Sequence, residues 1–349
     1  MEHETYHQQK TIENTLKLRD LIANLPHWIK DFFRGIEQTT ESRTRIAYAQ
    51  DLQVFFDYII HNNPIYHNLQ ANELPIELLT HLQASDIEEF LEYLKVYKKD
   101  GKRFSNNDRA IKRKLSALRS MYRYYHRNKI IDENPVLQVD MPKIHEKAIV
   151  RLDINEVAEL LDVVESGNRL TDQQKVFHEK NKIRDLALMT LLLGTGIRVS
   201  ECVGLDLNDV DFNNDRIKVV RKGGYESFVY FGEEVREALL SYLEERKNIV
   251  AVDGHENALF LSSRKSRISV RNVEVLVKKY ARTVTTMKKI TPHKLRSTYG
   301  TSLYQETGDI YLVADILGHS DVNTTKKHYA AVEEERRRSA RDKVKLREK

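Results

Sequence analysis

The apolar positions along the first 130 residues recur at helical spacing. Residues 11–34 carry an amphipathic stretch that ends with Trp28, Ile29, Phe32 and Phe33. A second runs over residues 41–60, with Ile46, Leu52, Phe55, Phe56 and Ile59 on one face, and a third from Ser85 to Lys98. Ile111, Leu115, Leu118, Met121, Tyr122 and Tyr125 form a fourth apolar stripe at the 3.6-residue period. The N-terminal region therefore reads as entirely helical. The pattern breaks after Tyr125, and Pro135 and Pro142 in a stretch of mixed charge suggest an extended linker. Helices resume near Asp153, where Asp-Ile-Asn-Glu is a capping-box opening. From Ile183 an apolar helix runs into Gly-Thr-Gly and directly into a second helix. Residues Arg216 to Phe231 alternate apolar and polar on either side of Gly223 and Gly224, the signature of a hairpin. Thr291 and Pro292 open another helix. Ile310, Leu312, Val313, Ile316 and Leu317 define one more, closed by Gly318, and Ser320 is placed to start a helix toward Tyr329. The expected fold is mainly α with a small β-hairpin or sheet, in two domains over 1–140 and 153–332. Residues 141–152 link them, and 333–349 form a charged tail.

Composition sharpens this picture in one place. The 349 residues suffice for two domains, and the formal charge of +5 hides a local excess. From Lys102 to Lys129 there are ten Lys or Arg against the single acid Asp108. On a helix with one apolar side, such a run is a face for a polyanion. Lys102, Arg103, Arg109, Lys112, Arg113, Arg119 and Arg123 are the candidate DNA contacts. Other chemistries find little support. The lone Cys202 excludes an intramolecular disulfide, and the 13 histidines show no metal-ligand spacing. No apolar run approaches the roughly 18 residues a membrane span needs, and the first ten residues are unlike a signal peptide. No metal, cofactor or membrane is expected, and the protein reads as cytoplasmic, working on the nucleoid.

Candidate chemistry concentrates in the second domain. His293 and Arg296 lie three apart on the opening turn of a helix, where backbone N–H groups and the helix dipole also favour an anion. His319 falls in the joint between two helices, with Tyr329 ten residues on. Arg198 and Glu201 are three apart at the start of the helix after Gly-Thr-Gly, so the carboxylate can orient the guanidinium. Lys222 sits at the tip of the hairpin. Taken singly, each has a bland alternative: a capped surface helix, a turn histidine, a core tyrosine, a surface ion pair, a solvated lysine. Together they form a set for holding a phosphodiester and attacking it with a phenol. A phenol of ordinary pKa near 10 is mostly protonated at neutral pH and needs surrounding positive charge to attack.

In this order, Gly-Thr-Gly-Ile-Arg-Val-Ser-Glu, a hairpin lysine, His-Lys-Leu-Arg, Leu-Gly-His and a tyrosine ten residues later, the chain resembles the tyrosine recombinases over residues 183–330. That resemblance implies that Arg198 and Arg296 grip the non-bridging oxygens of a scissile phosphate, with His293 and His319 completing the cradle. It implies that Lys222 protonates the departing 5′ oxygen, that Tyr329 is the nucleophile and that Glu201 supports Arg198. Ser297 departs from the second histidine that many members carry, though others also have serine there. The helical N-terminal domain would be the core-binding domain that clasps the duplex opposite the catalytic domain. The tail would dock on a neighbouring protomer of a homotetramer holding two DNA sites, each with inverted half-sites. The polar segment Ser166 to Lys182 and the Pro-His-Trp-Ile-Lys-Asp-Phe-Phe stretch resemble one branch of the family, the single-protein chromosome-dimer resolvases of streptococci and lactococci. The expected activity is site-specific recombination through a 3′-phosphotyrosine. Alternatives are an integrase or resolvase of a plasmid or mobile element, a type IB topoisomerase, and a non-enzymatic DNA-binding protein. The complete set of six groups speaks against the last of these.

Overall fold

A computed structural model describes residues 5–67, 69–99, 101–144, 150–221 and 223–319. Lys222, Ser320, Tyr329 and the 333–349 tail lie outside the described residues. The chain divides into two compact units, Met1–Lys147 and Ala148–Lys349, with the division falling inside the stretch read as a linker.

The first unit contains helices α1 (Tyr6–Ala23), α2 (Ile29–Gly35), α3 (Ser42–Asn62), α4 (Leu78–His81), α5 (Ala84–Lys95) and α6 (Asp108–Arg127). The stretch read as one helix over 11–34 is two, α1 and α2, because Pro26 cannot continue a helix. Trp28 begins α2 and organises the core. Its ring meets Phe56 of α3 at 5.7 Å and Tyr125 of α6 at 5.3 Å, both edge-on. Its indole N–H donates to the Leu74 carbonyl at 2.8 Å. All six apolar positions expected on α6 are buried. Val136 and Val139, in the stretch that reads as extended linker, also pack into this core.

One expectation fails here: the unit is not all helical. Strands β1 (Val96–Lys99) and β2 (Lys102–Ser105) pair antiparallel in the register Val96↔Ser105 to Lys99↔Lys102. The third expected helix therefore stops at Lys95, and Lys102 and Arg103 stand on a strand rather than on the basic helix. The reason lies in the sequence. Asp100-Gly101 between two short β-prone runs is a hairpin signal, and Gly101 takes the positive φ of 72° that such a turn needs.

The second unit is built around α9 (Lys182–Thr195), whose apolar residues are buried on nearly all sides. It is packed by α7 (Ile154–Ser166), α11 (Glu233–Arg246) and α13 (Pro292–Thr307). The expected Asp153 capping box is present, with Glu156 N–H donating to Asp153 at 2.9 Å and Asp153 N–H to Glu156 at 2.8 Å. Between α7 and α9, the polar segment folds as α8 (Asp172–Glu179). Its His178 is fully buried, with Nδ1 3.0 Å from the Tyr280 hydroxyl, which donates to Asp185 at 2.9 Å. Burial, then neighbouring Lys279, holds the His178 imidazole below its ordinary pKa.

After α9 come α10 (Val199–Gly204) and a three-stranded antiparallel sheet of β3 (Val210–Asp211), β4 (Arg216–Val220) and β5 (Glu226–Tyr230), in that order. The hairpin register runs from Arg216↔Tyr230 to Val220↔Glu226. Ile217, Val219 and Arg221 share the buried parity of this ribbon. Helix α12 (Val270–Val284) precedes α13, and α14 (Ile310–Leu317) is the last described element.

Candidate active site and nucleic-acid interface

The site is assembled at the C-terminal end of α14. A helix end leaves its last carbonyls without intrahelical donors and carries the negative end of the helix dipole. Here three arginines from three distant segments supply the donors. Arg296 of α13 donates to the Gly196 carbonyl at 2.7 Å and to that of Leu317. Arg221, at the end of β4, donates to Leu317 at 3.0 Å and to Ile316 at 2.9 Å. Arg198 donates to Gly318 at 3.0 Å. The chain then turns through Gly318 in the left-handed region (φ 59°), and the His319 N–H closes back on Ala314 at 2.9 Å. His319 is thus delivered beside Arg198 and Arg296, and its neighbours in the chain are pinned by their side chains.

Glu201 organises the arginines from behind. It is 4% exposed and receives the Arg198 guanidinium at 2.8 Å and the Arg198 backbone N–H at 2.7 Å. The same carboxylate lies 3.9 Å from Arg221. A buried carboxylate beside the buried Arg221 guanidinium offsets part of the cost of desolvating it. Burial lowers the Arg221 pKa, with Glu201 pulling the other way. Side-chain exposure of Arg198 is 34%, and a guanidinium carries five donors, so Glu201 and Gly318 leave some of them for an anion.

Two glycines allow this packing. A Cβ on Gly318 would stand 2.6 Å from the Arg221 guanidinium, and one on Gly196 would stand 2.4 Å from the Tyr299 ring. Gly196 also adopts φ 62°, so the glycine of the Gly-Thr-Gly turn is required by both conformation and space.

Of the six catalytic candidates, Arg198, Arg296 and His319 are brought together at this turn. His293 lies in the first turn of α13 and is exposed, whereas Arg296 on the same turn is buried, so the two side chains differ in setting. Thr291 begins the helix with its backbone carbonyl, which accepts from Lys294 and Leu295, while its side chain makes no capping bond. Lys222 and Tyr329 lie outside the described residues. Arg221 does not figure among the sequence candidates, although its signal is present: it continues the inward parity of Ile217 and Val219, where an arginine must find acceptors. Cys202 is buried, and burial pushes its thiol pKa far up. No three His, Cys, Asp or Glu converge as a metal-binding group among the described residues. No helix there is long and apolar enough to cross a membrane.

The basic candidates of the first unit separate into two sets. Arg109, Arg113 and Arg123 on α6 are exposed, as are Lys102 and Arg103, while Lys112 is half-buried. Arg119 is instead turned to the Val139 carbonyl. Arg113 pairs at 2.9 Å with Asp51, a buried carboxylate that also takes the buried Lys114 at 2.9 Å. The β1–β2 hairpin adds a feature missing from the sequence reading. Its register sets Lys98 directly opposite Arg103 and Lys99 opposite Lys102, and like charges directly opposite destabilise a ribbon. Asp57 takes Lys99 at 2.6 Å, but no carboxylate pairs with Lys98, Lys102 or Arg103 among the described residues. Stacking of Tyr93 on Tyr97 at 5.0 Å and of Tyr97 on Phe104 at 5.4 Å holds the ribbon in place.

Three arginines gathered at one helix end, two of them beside a buried glutamate and all next to a turn histidine, form a cationic pocket suited to an anion such as a phosphate, and comparison with known proteins gives the family. The chain matches the phage integrase family over residues 150–336. It is 31% identical to the tyrosine recombinase XerS of Streptococcus uberis over 352 aligned positions, spanning 94% of this chain and 98% of that one. The tyrosine recombinase XerC of Leptospira interrogans is 32% identical over 299 residues, 86% of each chain. Among solved structures, the XerH site-specific recombinase bound to palindromic difH substrate shares the fold with a TM-score of 0.65 at 16% identity, covering 94% of this chain and 93% of that one. A lambda integrase dimer bound to a COC′ core site gives 0.59 at 17% identity, covering 86% and 93%. The chain belongs to the phage integrase family. It is a tyrosine site-specific recombinase with the two-domain architecture of that family.

Proposed function

We propose that this recombinase cuts and rejoins double-stranded DNA through a 3′-phosphotyrosine and resolves chromosome dimers as a homotetramer holding two sites with inverted half-sites. The observation that carries the active-site reading is the triple arginine clasp on the α14 terminus, because it sets Arg198 and Arg296 beside the turn that presents His319. In this reading Arg198 and Arg296 hold the non-bridging oxygens, and His293 and His319 complete the cradle. The Tyr329 oxygen forms the new bond to phosphorus, giving up its proton to water, while the bond from phosphorus to the 5′ oxygen breaks. Its electron pair stays on that oxygen, which takes a proton from Lys222. Donors fixed before reaction stabilise the charge building on the phosphorus oxygens without reorganising, each removal costing about 10²–10³ in rate. The Tyr329 phosphodiester conserves the bond for religation.

Helix α6 and the β1–β2 hairpin are the proposed DNA-backbone contacts, through Arg109, Lys112, Arg113 and Arg123 on the helix and Lys102 and Arg103 on the hairpin. The unpaired cross-strand cations Lys98 and Arg103 support a polyanion there. Similarity to XerS along nearly the whole of both chains supports the chromosomal role, and with it a cytoplasmic, nucleoid-associated location. A suicide substrate carrying a nicked site tests the chemistry, and a pair of sites tests exchange. A covalent adduct plus recombinant product is expected. Relaxation of supercoils without exchange would make the protein a topoisomerase, and binding without an adduct would make it an accessory factor.

A further inference from the structure

The hairpin that carries the lysine is anchored by a residue outside the catalytic set. Arg221 closes the hairpin turn with its backbone: its N–H donates to Tyr225 at 2.7 Å and its carbonyl accepts from Gly224 at 3.1 Å. Gly223 and Gly224 both take positive φ, 87° and 81°, so the turn itself is built from residues with little side-chain restraint. The side chain of Arg221 supplies that restraint. It is 9% exposed and reaches from the ribbon to the far side of the site, donating to Ile316 at 2.9 Å and Leu317 at 3.0 Å. Leu317 is the same carbonyl that Arg296 holds, and Gly318, held by Arg198, is the next residue. Gly318 has no room for a Cβ largely because the Arg221 guanidinium occupies that space.

We propose that Arg221 is a positioning residue of the active site. It locks the end of β4 to the α14 terminal turn, so that the hairpin lysine and the His319 turn meet the scissile phosphate as one rigid unit. The proposal rests on the reading of Lys222 as the proton donor to the 5′ oxygen. Lys222 follows Arg221 directly in the chain, so the clamped side chain belongs to its immediate neighbour. A hairpin of five-residue strands with a Gly-Gly turn would otherwise place that lysine by the ribbon's own stiffness alone. General-acid catalysis requires the donor within hydrogen-bond reach of the departing oxygen, so loss of the clamp falls on protonation of the leaving group more than on DNA binding.

A change of leaving atom separates this role from a merely structural one. In a nicked substrate whose scissile 5′ oxygen is replaced by sulfur, the phosphorus–sulfur bond breaks to a thiolate, which leaves without a proton. Wild type, Arg221→Ala, Arg221→Lys and Lys222→Ala are compared on the oxygen and sulfur substrates, with half-site binding and thermal melting measured alongside. Arg221→Ala is expected to form the covalent adduct roughly 10²-fold more slowly on oxygen and within about tenfold of wild type on sulfur, as Lys222→Ala does. Should Arg221→Ala fold poorly, Arg221→Lys is read instead: a single ammonium cannot reproduce the fork, and a smaller defect with the same rescue by sulfur is expected. Equal slowing on both substrates by the Arg221 variants, with Lys222→Ala still rescued, would overturn the positioning role and leave Arg221 as a helix-end brace. Failure of Lys222→Ala to be rescued would overturn the lysine assignment and the proposal with it.

Discussion

The two units use positive charge in opposite ways. In the second, three arginines are spent on carbonyls at one helix end, with Glu201 behind two of them, so their guanidiniums have fixed directions. In the first, most of the basic residues of α6 and of the β1–β2 ribbon stand in solvent, and on the ribbon like charges face each other. A fixed donor stabilises charge as it forms on a reacting phosphate, whereas a mobile surface cation neutralises a backbone phosphate wherever it lies. The exceptions mark the boundary between the two uses: Lys114 on Asp51 and Arg119 on Val139 are basic residues of the first unit recruited to hold its core.

The contrast can be broken hardest at Arg296. Replacing it with alanine leaves the buried Gly196 carbonyl without this donor, at a cost of about 1–3 kcal/mol, while the Leu317 carbonyl keeps Arg221. It also removes a phosphate ligand, so covalent-complex formation is expected to fall by about 10³-fold while half-site binding changes little. Next comes Asp51→Ala, which strands the buried Lys114 ammonium. Loss of one partner of a buried pair costs about 3–5 kcal/mol, and denaturant unfolding should register it. If that variant instead lost cleavage without losing stability, the structural assignment of Lys114 would be wrong.

A smaller effect is expected on the ribbon. Lys98→Ala with Arg103→Ala should weaken DNA binding and flatten the dependence of log affinity on log salt by about 2, since each phosphate contact contributes roughly 0.9. The ribbon itself should not be destabilised, because a cross-strand like-charge pair is removed. An unchanged salt slope would place these two side chains away from DNA. The mildest prediction concerns His178. Its folded pKa is depressed below the ordinary 6.5, so the unfolded chain binds the proton more readily. Its contribution to stability is complete above pH of about 6.5 and is lost as the pH falls below that toward the folded value. Melting temperatures measured at about pH 7.5 and about pH 5.5 should diverge more for wild type than for His178→Gln.

Much of this molecule was legible in its sequence because the relevant signals are local. The Asp153 box, the Gly-Gly hairpin, the helix stop at Gly318 and the Arg198–Glu201 pair each depend on residues within a few positions of one another. Pairings across long separations were not legible. Nothing near Lys114 announces Asp51, and nothing near Arg119 announces Val139, so the basic run looked more available to DNA than it is. The β1–β2 ribbon was hidden for a different reason: a helical charge pattern on either side drew Lys102 and Arg103 into α6, although Asp100-Gly101 marked a turn. Arg221 shows the intermediate case, since its parity with Ile217 and Val219 was visible but the carbonyls it meets belong to residues nearly a hundred positions away.

The convergence of these groups on one phosphate is tested most directly by trapping. Wild type and Tyr329→Phe are each incubated with a nicked half-site substrate, and any covalent complex is digested and its DNA-linked peptide sequenced. An adduct on the peptide containing Tyr329 in wild type, and none in the phenylalanine variant despite equal half-site binding, is the predicted result. An adduct that persists in Tyr329→Phe, or one that maps to another residue, would contradict the account.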